Sequence, residues 1–336
     1  MYMSQNSLNE KIIIGIESSC DETGIGVLKG NRILSNVISS QEDIHSLYGG
    51  VVPELASRAH VSRIDNLLHK ALEKSKCKIE DIDYIGVTSE PGLKGSLLVG
   101  VSFAVGLAYS LKKDLYKVNH LHAHIAANYL NEDIEFPAIA FVVSGGHTSL
   151  FFLKDYTEFS LIGRTLDDAC GEAFDKVGRM LNLGFPGGPK IEKEAEKGDE
   201  NKIKFPVAIL SKDSLDFSFS GLKTAVLYYI KENGLKNIPD ICASFQKTVG
   251  DILCIKIKKA ISKFPVKSFL LGGGVIQNNY LRKRIKEIFK DEKIKLFIPP
   301  KDLCIDNGAM VAILTKFLIK KGIPPSDLRI EVKPTK

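Results

Sequence analysis

The sequence predicts an α/β protein built twice on one plan, two lobes with a nucleotide-sized cleft between them. Three observations carry this. Short apolar runs bounded by turn residues alternate with stretches of helical periodicity along the chain. The order of elements in residues 1–133 starts over in residues 134–336. Polar turns rich in small residues, at 18–23 and 144–147, break the first hairpin at matching places in the two halves. The duplication is one of topology, not of sequence.

In the first half, residues 12–16 read as a strand, 18–23 as a polar turn, 25–28 and 33–39 as two further strands, with Gly30-Asn31 between them. After Pro53, Val61, Ile64, Leu67, Leu68, Ala71 and Leu72 recur at helical spacing. A strand at 84–88, a helix at 95–111 and a strand at 115–118 lead to a helix carrying histidines. The second half repeats this with strands at 138–143, 148–153 and 159–163 and a helix over 167–183 with Phe174, Val177 and Leu181 on one face. Helices at 221–231 and 241–263, a strand at 268–271, a helix from Asn279, a strand at 295–298 and a last helix from Asp306, expected to pack at the cleft, close the chain. This order suggests the actin/Hsp70/sugar-kinase architecture.

Bulk properties exclude several classes. Of 336 residues, 44% are hydrophobic and 26% charged, ordinary globular usage that argues against disorder. The net charge of +6 permits a polyanionic partner without demanding one. Basic clusters at 256–267 and 282–295 are interleaved with acids and read as solvated helix faces, with a tRNA-contacting stripe as the alternative. The six cysteines are scattered with no Cys-x-x-Cys pair, so neither a zinc ribbon nor a disulfide framework is expected. Residues 1–11 are polar and do not read as a signal peptide. The uncharged run at 95–111 falls short of the roughly 20 residues that span a bilayer and reads as a buried core helix.

The chemistry begins with Asn119-His120-Leu121-His122-Ala123-His124. On a helix, residues at i and i+4 share a face, so His120 and His124 can hold one metal ion. A zinc protease places a Glu directly after the first histidine to activate water; here that position is Leu121. The pair reads as a metal clamp without a protease's base. His122 points off the shared face, and His45, His60 and His69 have no ligand spacing. Asp306 suits a helix N-cap, and it is equally the carboxylate that would complete a site with two histidines.

Glu17-Ser18-Ser19-Cys20-Asp21-Glu22-Thr23 sets adjacent carboxylates, Asp21 and Glu22, among small hydroxyls. It can hold a cation or orient water; taken alone, a solvated polar turn is the plainer reading. Val143-Ser144-Gly145-Gly146-His147 brings backbone N–H groups near an anion, or serves a hairpin that needs positive φ. Gly272-Gly273-Gly274 precedes Asn278 and Asn279, where Asn279 suits a helix N-cap. Pro186-Gly187-Gly188-Pro189, with Glu192 beyond it, reads as a rigid turn. Asp175 shares a helix with Asp168, Gly171 and Glu172, as a surface acid or a ribose ligand.

Together with Phe217-Ser-Phe-Ser-Gly-Leu-Lys-Thr224 and Asp306-Asn-Gly-Ala-Met310, these motifs occur in an order that closely resembles the bacterial-type TsaD (Gcp or YgjD) family over nearly the whole chain. The resemblance implies a cytoplasmic tRNA-modifying acyltransferase. Family members transfer a threonylcarbamoyl group from threonylcarbamoyl-AMP to N6 of the adenosine beside the anticodon, in tRNAs reading codons that begin with A, and release AMP. By that likeness His120, His124 and Asp306 bind one divalent metal ion, iron in the family, with zinc or manganese suiting the donors alike. Val143, Ser144, Gly145, Gly146, His147, Asp175, Gly188, Glu192 and Asn278 line the adenylate. An Asp is usual where Glu192 stands, and His122 and Ala123 depart from the common bacterial wording. No base is assigned; Asp21 and Glu22 are candidates by position. The resemblance also implies a TsaB-like subunit, docking near Val61 to Leu72, and a TsaE-like ATPase, with no membrane. A kinase of the same architecture and a non-catalytic nucleotide-binding scaffold are the alternatives, ahead of a metalloprotease.

Overall fold

The computed structural model describes residues 8–131, 133–207 and 213–335, so the beginning of the polar leader, residues 1–7, lies outside the described residues. Two compact units emerge: Met1–Asp133 with Ile305–Lys336, and Ile134–Cys304.

The first unit holds a five-stranded sheet of β1 (Ile12–Glu17), β2 (Glu22–Lys29), β3 (Arg32–Ser40), β4 (Tyr84–Glu90) and β5 (Asp114–Asn119) in the order β3-β2-β1-β4-β5. The meander β1-β2-β3 is antiparallel and β1-β4-β5 is parallel. A short helix, α1 (Glu42–His45), precedes α2 (Pro53–Ser75) and α3 (Lys94–Leu111). Pro53 sits at the start of α2, where its missing N–H costs nothing. Ile14, Ile16, Ile25 and Val27 pack with Ile64, Leu67, Leu68, Val101 and Ala104 of these helices in one core.

Gly15 alternates with Ile14 and Ile16 and so points to the opposite face of the sheet. There the last helix, α10 (Gly308–Lys320), lies against bare backbone: a Cβ on Gly15 would stand 2.1 Å from the Gly308 carbonyl oxygen. This corrects the division read from the sequence, which grouped all of residues 134–336. The segment from Ile305 onward belongs to the first unit, because α10, buried from Gly308 to Phe317, completes that unit's sheet.

Two further readings change here. Of the six-residue apolar stripe on α2, five residues are core and only Val61 is exposed, at 64%. Helix α3, with a mean hydropathy of 1.4 over 18 residues, is long and apolar enough to cross a bilayer by composition, yet only a third of it is buried. Ser96, Leu97, Gly100, Val101, Ala104 and Ala108 face the core, whereas Leu98, Ser102, Gly106 and Tyr109 face outward. It is a core helix on one face only.

The second unit repeats the plan. Its strands are β6 (Ala138–Val143), β7 (Thr148–Leu153), β8 (Phe159–Arg164), β9 (Ser268–Gly272) and β10 (Lys295–Phe297), in the order β10-β9-β6-β7-β8. The meander β6-β7-β8 is antiparallel and β6-β9-β10 parallel, as in the first unit. Helices α5 (Cys170–Met180), α6 (Gly187–Ala195), α7 (Ser220–Asn233), α8 (Ile238–Lys263) and α9 (Asn279–Ile288) complete it. The core is aromatic: Phe141, Phe174, Phe217, Phe219, Phe245 and Phe269 are buried, with Phe141 stacked on Phe217 at 5.2 Å. The sequence missed α6. Its first residues are Gly187-Gly188-Pro189, and proline is tolerated there because first-turn N–H groups have no partner within the helix.

Candidate functional site

In the first unit, β5 runs directly into α4 (His120–Ala126), and Asn119 caps that helix by accepting the Leu121 and His122 N–H groups at 3.0 and 3.2 Å. The cap fixes the first turn, and the i,i+4 spacing sets both imidazoles on one face, their ring centroids 4.6 Å apart. Asp306, just before α10, brings Oδ1 to 3.0 Å from Nε2 of His124 and 3.5 Å from Nε2 of His120. Asp306 does not cap the helix. Asn307 does, accepting the Met310 N–H at 3.0 Å, which leaves the Asp306 carboxylate for the histidines. One ligand atom from each of the three residues lies within 4.8 Å of the others.

The donors fit a divalent cation. Both ring nitrogens of His124 are buried, and neither makes a hydrogen bond among the described residues, although Nε2 lies close to Asp306. A buried imidazole left so is costly unless it coordinates something. Negative charge also accumulates: burial, then the carboxylates of Asp21, Asp306 and Glu17, pushes Glu22 well above the usual carboxylate range. Burial would depress His120, but the Asp306 and Glu17 carboxylates outweigh it and raise its pKa to about 9. A cation among these groups would relieve the repulsion. His122 stays apart, pushed down to about 4 by burial, with Glu90 offsetting only part of this.

The turn after β1 is no solvated loop. Glu17, Ser18, Ser19 and Thr23 are buried, while Asp21 and Glu22 are half-buried. Glu17 Oε2 lies 3.2 Å from Nδ1 of His120 and accepts from Thr88 Oγ1 at 2.6 Å. His60, from α2, holds the turn from behind, with Nδ1 2.7 Å from Thr23 Oγ1 and Nε2 2.9 Å from the Cys20 carbonyl. Sequence reasoning missed the parts played by Glu17 and His60. The one available signal was an acid ending an apolar strand that is otherwise continuous.

In the second unit, the residues expected at the adenylate are stitched together by hydrogen bonds. The Gly171 and Glu172 N–H groups at the start of α5 donate to the Ser144 and Gly145 carbonyls at 3.2 and 3.1 Å. Asp175 accepts the Gly187 N–H at 2.8 Å, and Glu192 accepts the Asn279 N–H at 2.6 Å. Asn278, not Asn279, caps α9, accepting the Leu281 N–H at 2.9 Å while its amide donates to Gln246 at 2.7 Å. Both ends of its side chain thus have protein partners. Val143 lies in the floor, its carbonyl 2.3 Å from where a Cβ on Gly273 would stand. The Ser144 hydroxyl accepts the His147 N–H at 3.1 Å and closes the turn.

The glycines here are informative. Gly145 and Gly146 do not have positive φ, so the hairpin does not require glycine. A Cβ on Gly145, Gly146, Gly188 or Gly274 would meet nothing within 4 Å. No contact inside the protein calls for glycine at these four positions, and bare backbone there would let a ligand approach closely.

Comparison with known proteins shows the family and the fold. A family model described as TsaD, tRNA N6-adenosine threonylcarbamoyltransferase, matches residues 32–313. A protein of that description from Thermosipho africanus (strain TCF52B) is 48% identical over 326 residues, 96% of this chain and 98% of its own. Another from Clostridium novyi (strain NT) is 49% identical over 324 residues, 94% of this chain and 95% of its own. Among solved structures, full-length HypF in its phosphate- and nucleotide-bound form matches with a TM-score of 0.63 at 14% identity, over 92% of this chain and 56% of that one. Component A of the Acidaminococcus fermentans (R)-2-hydroxyglutaryl-CoA dehydratase matches with a TM-score of 0.57 at 16% identity, over 93% of this chain and 99% of that one. At such identities the likeness is one of fold, the two-lobed actin/Hsp70/sugar-kinase-like α/β class.

Proposed function

The chain belongs to the TsaD family of tRNA N6-adenosine threonylcarbamoyltransferases, and from this we propose that it moves a threonylcarbamoyl group from threonylcarbamoyl-AMP to the N6 amine of the tRNA adenosine beside the anticodon. The observation that carries the reading is the triad of buried His120 and His124 with half-buried Asp306, and its unsatisfied imidazole.

The N6 nitrogen attacks the carbamoyl carbon, the bond from that carbon to the phosphate oxygen breaks, AMP departs, and the amine loses a proton. His120, His124 and Asp306 would hold a divalent ion, iron by family resemblance, which would supply Lewis acidity to the mixed anhydride, an effect worth several kcal/mol in general. Backbone N–H groups of Gly145 and Gly146 meet the adenylate oxygens, and open glycine backbone at Gly188 and Gly274 admits the nucleoside. Asp175 and Glu192, each accepting an N–H at a helix N-terminus, are the carboxylates that meet the ribose hydroxyls. Glu192 has the longer side chain where Asp is usual, and that length reaches Asn279. Asp21 and Glu22, on the turn after β1, are the candidates by position to take up the proton.

The same resemblance gives the partners: a TsaB-like subunit, a TsaE-like ATPase and a cytoplasmic setting. Because the α2 stripe is core, the docking surface for the subunit is the outer face, which carries exposed Val61 on α2 and the uncharged row Leu98, Ser102, Gly106 and Tyr109 on α3.

Reconstitution tests the reading. The purified chain, threonylcarbamoyl-AMP and an unmodified tRNA are combined, partners are added in turn, and nucleosides are read by mass spectrometry. The modified nucleoside is expected with the wild type and not with His124→Ala. Equal product from both proteins would remove the metal from the mechanism.

A further inference from the structure

Glu17 is a carboxylate with no exposure at all, ending β1 beneath the metal triad. Burying an ionised carboxylate costs several kcal/mol unless its oxygens are met. They are met: Oε1 accepts the Ser19 N–H at 2.7 Å, while Oε2 accepts the Thr88 hydroxyl at 2.6 Å and lies 3.2 Å from Nδ1 of His120. An ionised carboxylate only accepts, so Nδ1 of His120 is the donor. The Ser19 hydroxyl, 3.1 Å from the same nitrogen, shares that proton. In the neutral ring that binds an ion, the lone pair of His120 is thereby assigned to Nε2, the nitrogen that faces Asp306. His124 has no such support, since its Nδ1 makes no hydrogen bond among the described residues.

We propose that Glu17 is the positioning residue of the metal centre: it holds His120 in the Nδ1–H tautomer with Nε2 aimed at the ion, and it supplies the second negative charge that balances a divalent cation held by two neutral histidines and one aspartate. A carboxylate behind a metal-bound imidazole fixes ring orientation and raises ligand basicity. The two histidines are therefore unequal, His120 being the oriented and more basic ligand. The role rests on the metal reading above and deepens it.

Glu17→Gln is nearly isosteric. It can still accept from Ser19, but it turns an amide donor toward Nδ1, which favours the tautomer with Nε2 protonated. The test measures Zn2+ and Co2+ affinity by competition with a chromophoric chelator, the visible spectrum of the Co2+ form, and thermal melting of the same samples. Affinity is expected to fall about 10- to 100-fold, with a shifted Co2+ spectrum. Wild-type affinity within twofold and an unchanged spectrum would overturn the proposal, and a lowered Tm alone would mark Glu17 as a purely structural knot. Should Glu17→Gln not fold, Thr88→Val decides. It keeps the carboxylate but frees one oxygen, so an affinity loss of about 2- to 10-fold is expected, and no loss overturns the proposal. A wild-type protein that takes up neither ion refutes the metal reading itself, whereas wild-type uptake matched by the variants removes only the part assigned to Glu17.

Discussion

Asp306 and Asn307 are chain neighbours with separate tasks, and substitution separates them. Asn307 is buried and caps α10, with Oδ1 on the Met310 N–H and Nδ2 on the Ile305 carbonyl. Asn307→Ala is expected to cost about 1–2 kcal/mol of stability, read by urea denaturation. Asp306→Ala leaves that cap in place and removes one of several clustered acids. It should hold Tm within about 2 °C while transfer falls by about 100-fold or more, since several kcal/mol of activation are lost. A large drop in Tm with residual transfer would contradict this division. The histidine pair was legible in the sequence because i,i+4 spacing is local. The burial of Glu17 was not, because it depends on a histidine 103 positions away in the chain.

At the scale of elements, the start of α5 supports the Ser144-Gly145 loop, and Gly171 makes the contact possible. A Cβ there would stand 2.7 Å from both the Gly145 Cα and the Ser144 carbonyl oxygen. Gly171→Ala must therefore displace the loop. We expect KM for threonylcarbamoyl-AMP to rise about tenfold with metal content unchanged, measured by initial rates and elemental analysis; an unchanged KM would show that the loop does not hold the adenylate. Asp168, just before α5, is clamped by Lys176 at 2.6 Å and by Lys223 of α7 at 2.7 Å. Burial would raise its pKa, but the two ammonium groups outweigh burial and hold it below the usual value. A depressed carboxylate adds stability above its unfolded pKa of about 3.9 and loses it as pH falls through the folded value. Wild type should thus exceed Asp168→Asn by roughly 1 kcal/mol at pH 7, with the gap closing as pH drops below about 4. A gap independent of pH would exclude the ion pairs as its cause. Both strand meanders were legible from alternation and turn residues. Helix α6 was not, because Pro-Gly-Gly-Pro carries the local signal of a turn, and the partner of the Gly187 N–H is Asp175, supplied from another helix.

For the whole molecule, fold and chemistry have different sources. Structures at 14% and 16% identity share the architecture, so the architecture does not choose the reaction. The family is set by relatives at 48% identity, and the triad and the open glycines are where the proposed chemistry would sit. The twofold plan could be read from element order, but the return of α10 to the first unit could not, since the whole of the second unit, Ile134–Cys304, stands between it and the sheet it completes, and glycines of β1, β2 and β4 make room for it. What the fold leaves open on that unit is the outer face of α3. Leu98 is 44% and Tyr109 75% exposed, on a helix with no charged residue after Lys94. Two exposed large hydrophobics in an uncharged row, on a helix whose other face is core, are more than a solvated surface needs. If it docks the TsaB-like subunit, Leu98→Glu with Tyr109→Glu buries a charge only in the complex. The variant alone should melt within about 2 °C of wild type and keep its metal, because neither residue supports the core. With the partner present, the stimulation of transfer should fall at least about tenfold, since an unpaired charge in an interface costs several kcal/mol. Titrating the partner against both proteins separates the outcomes: a right-shifted curve that saturates at the wild-type rate places the row at the interface, and an identical curve places the partner elsewhere.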